Sequence, residues 1–178
     1  MLLGQYIKDF KIIPADIEES IDPSMPIDDA VTELAVRKAL SVTGKCRSTD
    51  IIIAADTVVV LDDMLYNKPL DAADAKRMLT ELRGRTHRVI TAVAVVTDGK
   101  VPIKFADSTE VSFRDYSDEI IDWYIATGEP LDRAGAYAVQ EKGAVLAAKV
   151  NGDYNTVVGL PLAELIHRLS ENGLFKFK

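Results

Sequence analysis

A chain of 178 residues with 48% hydrophobic and 28% charged side chains can build one ample core but not two ordinary domains. Its formal net charge of −7 argues against general nucleic-acid binding, which needs a basic surface, while leaving room for a local basic pocket that takes a small anion. The single cysteine, Cys46, excludes an internal disulfide and a cysteine metal cluster. No apolar run reaches membrane-spanning length and MLLGQYIKDF has no signal-peptide pattern, so the sequence predicts a cytoplasmic protein without a membrane partner.

The patch DPSMPIDD reads as the loop before a first helix. From Asp28 or Asp29, DDAVTELAVRKAL places Val31, Leu34 and Ala35 on one face, and Lys38 continues that face at i+7. IIIAADTVVV, residues 51–60, predicts a buried strand, and VVVLDDMLY predicts a hairpin turning at Asp62–Asp63. DAADAKRMLTELRG predicts a helix with Asp71 as N-cap, an apolar stripe of Ala75, Met78, Leu79 and Leu82, and Gly84 at its end. Three strands are then expected, in HRVITAVAVVT, KVPIKFA and STEVSFR, the first two joined by a hairpin at Asp98–Gly99. A helix starting near Ser117 carries DEIIDWYIAT and stops at Gly128. Beyond the loop GEPLDRAGAY, short strands are expected around YAVQ and AVLAAKV, and a last helix follows GLPL and ends at Asn172–Gly173. A strand-rich middle with dispersed helices predicts a mixed α/β (α+β) fold, and the abundance of hairpins argues against an all-parallel doubly wound sheet.

No Walker loop, GxGxxG, HExxH or GxSxG signature occurs. His87 and His167 lack metal-ligand spacing, so structural or surface roles are the simpler reading. Asp56 is harder to explain, because burying an unpaired carboxylate in an apolar run costs several kcal/mol. Either it ends the strand and accepts backbone N–H bonds, or it has a task. Lys38 continues an apolar stripe, with snorkelling at a helix end as the bland alternative. Lys68, in YNKPL, precedes a proline that favours an extended backbone, with an ordinary loop lysine as the alternative. Two lysines and a carboxylate in an otherwise acidic chain suit a polyanion with a divalent metal: the amines neutralise phosphate charge, and the acid holds the metal or takes a proton from water. Spacing alone leaves these alternatives open.

The stretches IIPADIEE, ELAVRKAL, AADTVV, NKPLD, MLTELRGRTHRVITAV, STEVSF, YIATGEPLDRAGAYAVQEKGA and VNGDYNTVVGLPL, in this order, resemble the Maf family of nucleoside triphosphate pyrophosphatases. This family is related in fold to the inosine triphosphatases. GEPLDRAGAY followed by GLP is the specific part of the match. The resemblance implies a single domain over residues 1–178, with an elongated mixed sheet flanked by helices and a central cleft. It also implies hydrolysis of a nucleoside triphosphate between the α and β phosphates. By position, Asp56 matches the family's proton acceptor and a metal ligand, Glu18 a second metal ligand, and Lys38 and Lys68 substrate-binding residues. Thr57 and Gln140 match positions associated with choice of base; the combination looks most like the branch acting on dTTP and UTP, with the 7-methyl-GTP branch as the alternative. The implied cofactor is a divalent cation, Mg²⁺ with Mn²⁺ or Co²⁺ as alternatives. The implied partners are the nucleotide and, by resemblance only, a second copy of the chain in a homodimer.

The family's opening strand and Ser-x-Ser-Pro-Arg-Arg motif have no counterpart in this sequence, whose Met1-Leu2-Leu3 the resemblance would put inside the family's own first helix. A start placed downstream of the true one and a shortened chain are the favoured explanations, because Asp56, Lys38, Lys68 and Gln140 are all present. A natural form that has given up catalysis is the third. It would be a nucleotide-binding regulatory protein, in keeping with the family's association with restraint of septum formation.

Overall fold

Ten residues rich in β-branched side chains, Ile52–Leu61, form strand β1, and its last four residues are all buried. The computed structural model that shows this describes residues 2–98 and 100–176. β1 turns at Asp62–Asp63 into β2 (Met64–Tyr66), with Leu61 opposite Met64 in an antiparallel pair. Both turn residues have positive φ, 49° and 63°, the backbone that a two-residue hairpin of matching twist requires.

Helix α1 runs Ile27–Ser41 and buries Val31, Leu34 and Ala35 as expected, together with Ala30 and Ala39. Asp28 and Asp29 lie in its first turn, where negative charge meets the positive end of the helix dipole. Helix α2 (Ala72–Leu82) starts where Asp71 accepts a hydrogen bond from the Asp74 N–H at 2.8 Å, and it buries the four predicted stripe residues. Gly84 follows with φ 67°.

The expected three strands prove to be two, β3 (Thr86–Thr97) and β4 (Lys100–Phe113). Only Asp107 separates the two expected segments KVPIKFA and STEVSFR. The inward positions Ile103, Phe105, Thr109, Val111 and Phe113 keep a two-residue period straight through it, so one strand serves. The predicted hairpin between these strands involves Gly99, which lies outside the described residues. Helix α3 (Asp118–Ala126) begins after Ser117 and ends before Gly128, whose φ is 75°. The segment YAVQ is not a strand: Tyr137, Ala138 and Val139 are buried, but the Ala138 N–H goes to the Tyr124 hydroxyl at 3.0 Å rather than to a ladder. Of AVLAAKV, the first residues form a 3₁₀ turn and only the rest joins β5 (Ala147–Asn151), which pairs antiparallel with β4, Val111 opposite Val150. A short helix α4 (Tyr154–Val158), not expected from the sequence, precedes α5 (Leu162–Glu171).

The strands form one sheet in the order β2-β1-β3-β4-β5, flanked by helices, so the mixed α/β expectation holds. The chain divides into two compact units. The first comprises the stretch up to Asp56, Thr91–Asp107 and the chain from Gly159 on. Its core packs Val93, Val95, Ile103 and Phe105 against Leu162, Leu165, Ile166 and Leu169 of α5. The second comprises Thr57–Ile90 and Ser108–Val158, with a core that includes Leu79, Leu82, Val111, Phe113, Ile121 and Tyr124.

Candidate active site

In the first unit, the buried stripe of α1 carries Lys38 inward at its C-terminal end. The Lys38 ammonium lies 2.5 Å from Asp56 Oδ1, with 15% of the lysine side chain and 10% of the aspartate side chain exposed. Glu19 Oε1 reaches the same Nζ at 2.8 Å from the outer side. Burial is the largest single influence on Lys38 and acts to lower its pKa. The hydrogen bonds to Asp56 and Glu19, with their negative charges, outweigh it and hold the ammonium above the ordinary lysine value. Lys38 is therefore a permanent cation at neutral pH.

The irregular segment before α1 is fixed by Arg37, whose guanidinium donates to the Glu18 carbonyl at 3.2 Å and to the Ser20 carbonyl. Glu18 thus contributes its backbone oxygen to this anchor, and the carboxylate on Lys38 is that of Glu19. Sequence reasoning passed over Glu19. Its one signal is the acidic doublet itself, which offers two neighbouring carboxylates to whatever cation lies alongside.

The other expected residues belong to the second unit. Thr57 is half-buried on β1. Lys68 is exposed and donates to Asp132 Oδ1 at 2.6 Å. That hydrogen bond, and then the lysine's charge, hold the Asp132 carboxyl below the usual carboxylate range. Asp132 lines an open basin of about 680 Å³ together with Thr127, Gly128, Glu129, Arg133, Glu141 and Lys142. Arg133 and Glu141 pair at 3.1 Å on its wall, and the exposed Gln140 directly precedes Glu141.

The histidines take the roles expected of them. His87 is buried and its Nε2 lies 2.8 Å from the Tyr137 hydroxyl, while His167 sits on the surface 3.3 Å from Glu171. Among the described residues, no group of three or more His, Cys, Asp or Glu could hold a metal ion unaided. Two carboxylates do converge on one point, since Asp56 and Glu19 both meet the Lys38 ammonium. Their carboxylate oxygens are hard donors, the ligand type that small divalent cations take.

The family model for Maf-like proteins matches residues 1–172. The chain belongs to the Maf family. A dTTP/UTP pyrophosphatase of Thermococcus onnurineus (strain NA1) is 44% identical to this Maf protein over 172 residues, 97% of this chain and 91% of that one. One from Dictyoglomus turgidum (strain DSM 6724 / Z-1310) is 45% identical over 175 residues, covering 97% and 90% of the two chains. A third, from Bacillus cytotoxicus (strain DSM 22905 / CIP 110041 / 391-98 / NVH 391-98), is 43% identical over 162 residues, covering 91% and 84%. Among the described residues of the Maf chain, no helix is long and apolar enough to cross a membrane.

Proposed function

We propose that this chain is a nucleoside triphosphate pyrophosphatase that converts dTTP and UTP to the monophosphate and pyrophosphate. The observation that carries the reading is the Lys38 ammonium held between the carboxylates of Asp56 and Glu19. It agrees with the names of the relatives, which are dTTP/UTP pyrophosphatases.

A triphosphate at neutral pH carries about four negative charges, which repel any anionic nucleophile. Lys38 answers that repulsion in two ways. Its charge offsets phosphate charge, and phosphate oxygens compete with Glu19 and Asp56 for its N–H donors. The exchange of partners leaves carboxylate oxygens beside the polyanion. Asp56 takes the proton from the attacking water as the general base. Enzymes of this family generally depend on a metal, and we assign its ligation to Asp56 with Glu18 or its neighbour Glu19, whose carboxylate is the one that meets Lys38. When bound, Mg²⁺ would supply charge neutralisation of the phosphates and of the departing pyrophosphate. Lys68 is assigned to the phosphates, and Thr57 and Gln140 to the base; Gln140 offers both a donor and an acceptor to a pyrimidine edge.

The test is pyrophosphate release from dTTP, UTP, CTP and 7-methyl-GTP with Mg²⁺, wild type against Asp56→Asn. Hydrolysis of dTTP and UTP is expected, and the variant should be slower by roughly 10²–10⁴-fold, the range of general base catalysis. Preference for 7-methyl-GTP would move the chain to that branch. A folded wild type that releases no pyrophosphate would sink the proposal.

A further inference from the structure

The segment that carries Gln140 is tied down on both sides by one pair of side chains. Glu129 follows Gly128, the glycine that turns the chain out of α3. Its Oε1 accepts the Tyr124 hydroxyl at 2.8 Å and the Gly143 N–H at 3.1 Å, and its Oε2 accepts the Lys142 N–H at 3.2 Å. The Tyr124 oxygen in turn accepts the Ala138 N–H at 3.0 Å. Ala138 lies just before Gln140 in the chain and Lys142 and Gly143 just after it, so both ends of the turn are fastened to the same phenol and carboxylate.

We propose that Glu129 and Tyr124 are positioning residues for base selection, holding Gln140 in the place from which it meets the nucleotide base. This rests on the pyrophosphatase reading above and on the assignment of Gln140 to the base. The clip is rigid. Tyr124 is fully buried, and burial, followed by its hydrogen bond to Glu129, raises the phenol's pKa, so the hydroxyl keeps the proton it donates. Contact is close enough to demand a glycine: a Cβ on Gly143 would stand 2.6 Å from the Tyr124 hydroxyl and 2.7 Å from the Ala138 carbonyl. Three of the clip's bonds end on backbone N–H groups within three residues of Gln140, while the Gln140 side chain itself is exposed. A clip that only closed a loop would serve every nucleotide alike. One that aims Gln140 must affect them unequally.

The experiment compares wild type, Glu129→Gln and Tyr124→Phe. Steady-state kinetics with dTTP, UTP, CTP and GTP are read beside backbone amide exchange over residues 138–143. Glutamine keeps the size of Glu129 but offers only one acceptor oxygen, and phenylalanine removes the hydroxyl without emptying the core. In both variants the preference for dTTP over CTP, as a ratio of kcat/KM, is expected to fall at least fivefold. The loss should lie mainly in KM for dTTP and UTP, with faster exchange confined to the 138–143 turn. Folded variants with unchanged ratios, or with equal losses on all four nucleotides, overturn the positioning role and leave the pyrophosphatase reading standing. A wild type that hydrolyses none of the four overturns that reading, and this inference with it.

Discussion

Lys38 and Asp56 meet at 2.5 Å with both side chains largely withdrawn from water, and Glu19 approaches the same ammonium at 2.8 Å. Two carboxylates from separate segments thus share one ammonium. Such a cluster is a weak source of stability, because desolvating the ions offsets most of their attraction. Under the proposed function the site must take up and release a polyanion, which suits charges that are only partly solvated.

Removing the lysine should expose that balance. Lys38→Met leaves the buried Asp56 without its ammonium and is expected to cost about 3 kcal/mol in urea denaturation at pH 7.5. The double variant with Asp56→Asn should recover much of the loss. The pH dependence has a definite sign, because the folded-state pKa of Lys38 is raised above the ordinary 10.5. Its contribution is fully present below that value and is lost as the pH rises through the folded pKa. The gap between wild type and Lys38→Met should therefore stay flat from neutral pH up to the ordinary lysine value and close only in stronger alkali. A gap that already closes near neutrality would mean the pairing is not as described.

Glu19 and Glu18 can be separated by parallel substitutions. Glu19→Gln removes a carboxylate from the Lys38 cluster, whereas Glu18 holds Arg37 through its backbone carbonyl. The half-saturating Mg²⁺ concentration for pyrophosphate release should rise at least about tenfold in Glu19→Gln, since fewer charged oxygens weaken a hard-cation site. Glu18→Gln should change it little. The reverse result would return the metal role to Glu18.

These contrasts follow what the sequence made legible. Lys38 was found because a helical period of apolar residues runs into it, and a period is a local signal. The Asp71 cap and the Asp62–Asp63 turn are local too, each set by the backbone of its own few residues. Glu19 was missed because the stretch before α1 has no period, so nothing in it says which of two adjacent carboxylates turns toward the helix. The Lys68 partner was missed because Asp132 lies 64 positions away along the chain. YAVQ has strand-like composition, yet a buried phenol claims the Ala138 N–H, and such a side-chain competitor for a backbone bond leaves no mark in the local sequence.

Lys68 should behave as the opposite of Lys38. Its side chain is 61% exposed and that of Asp132 85%, so their ion pair is a surface pair that contributes under about 1 kcal/mol to stability. Lys68→Ala should melt close to wild type. If the lysine serves the phosphates, its loss removes a charge-assisted contact of about 1.5–3 kcal/mol, roughly a tenfold to hundredfold fall in kcat/KM. Asp132→Asn frees the lysine and should not reproduce that fall. Equal losses in the two variants would show that the ion pair, rather than the free ammonium, is what matters.

His87 should make the protein acid-sensitive through its core rather than its active site. It is 1% exposed, packed edge-on between Phe113 and Tyr137 with ring centroids 4.7 and 5.4 Å away. Its Nε2 shares a hydrogen bond with the Tyr137 hydroxyl, and no partner reaches its Nδ1 among the described residues. Burial lowers its pKa from the ordinary 6.5 to about 4, so the folded protein holds the ring neutral while the unfolded chain binds a proton more readily. Stability from this residue is present above the unfolded value and is lost as the pH falls toward the folded one. Over that window the loss is on the order of 3 kcal/mol. His87→Phe abolishes the titration, at the constant penalty of leaving the Tyr137 hydroxyl without this partner. Denaturation curves at pH 7.5, 6, 5 and 4 should therefore show wild type losing about 3 kcal/mol more than the variant between the extremes, on the same accounting. Parallel losses in the two proteins would mean that the imidazole does not resist protonation and that the acid sensitivity arises from other groups.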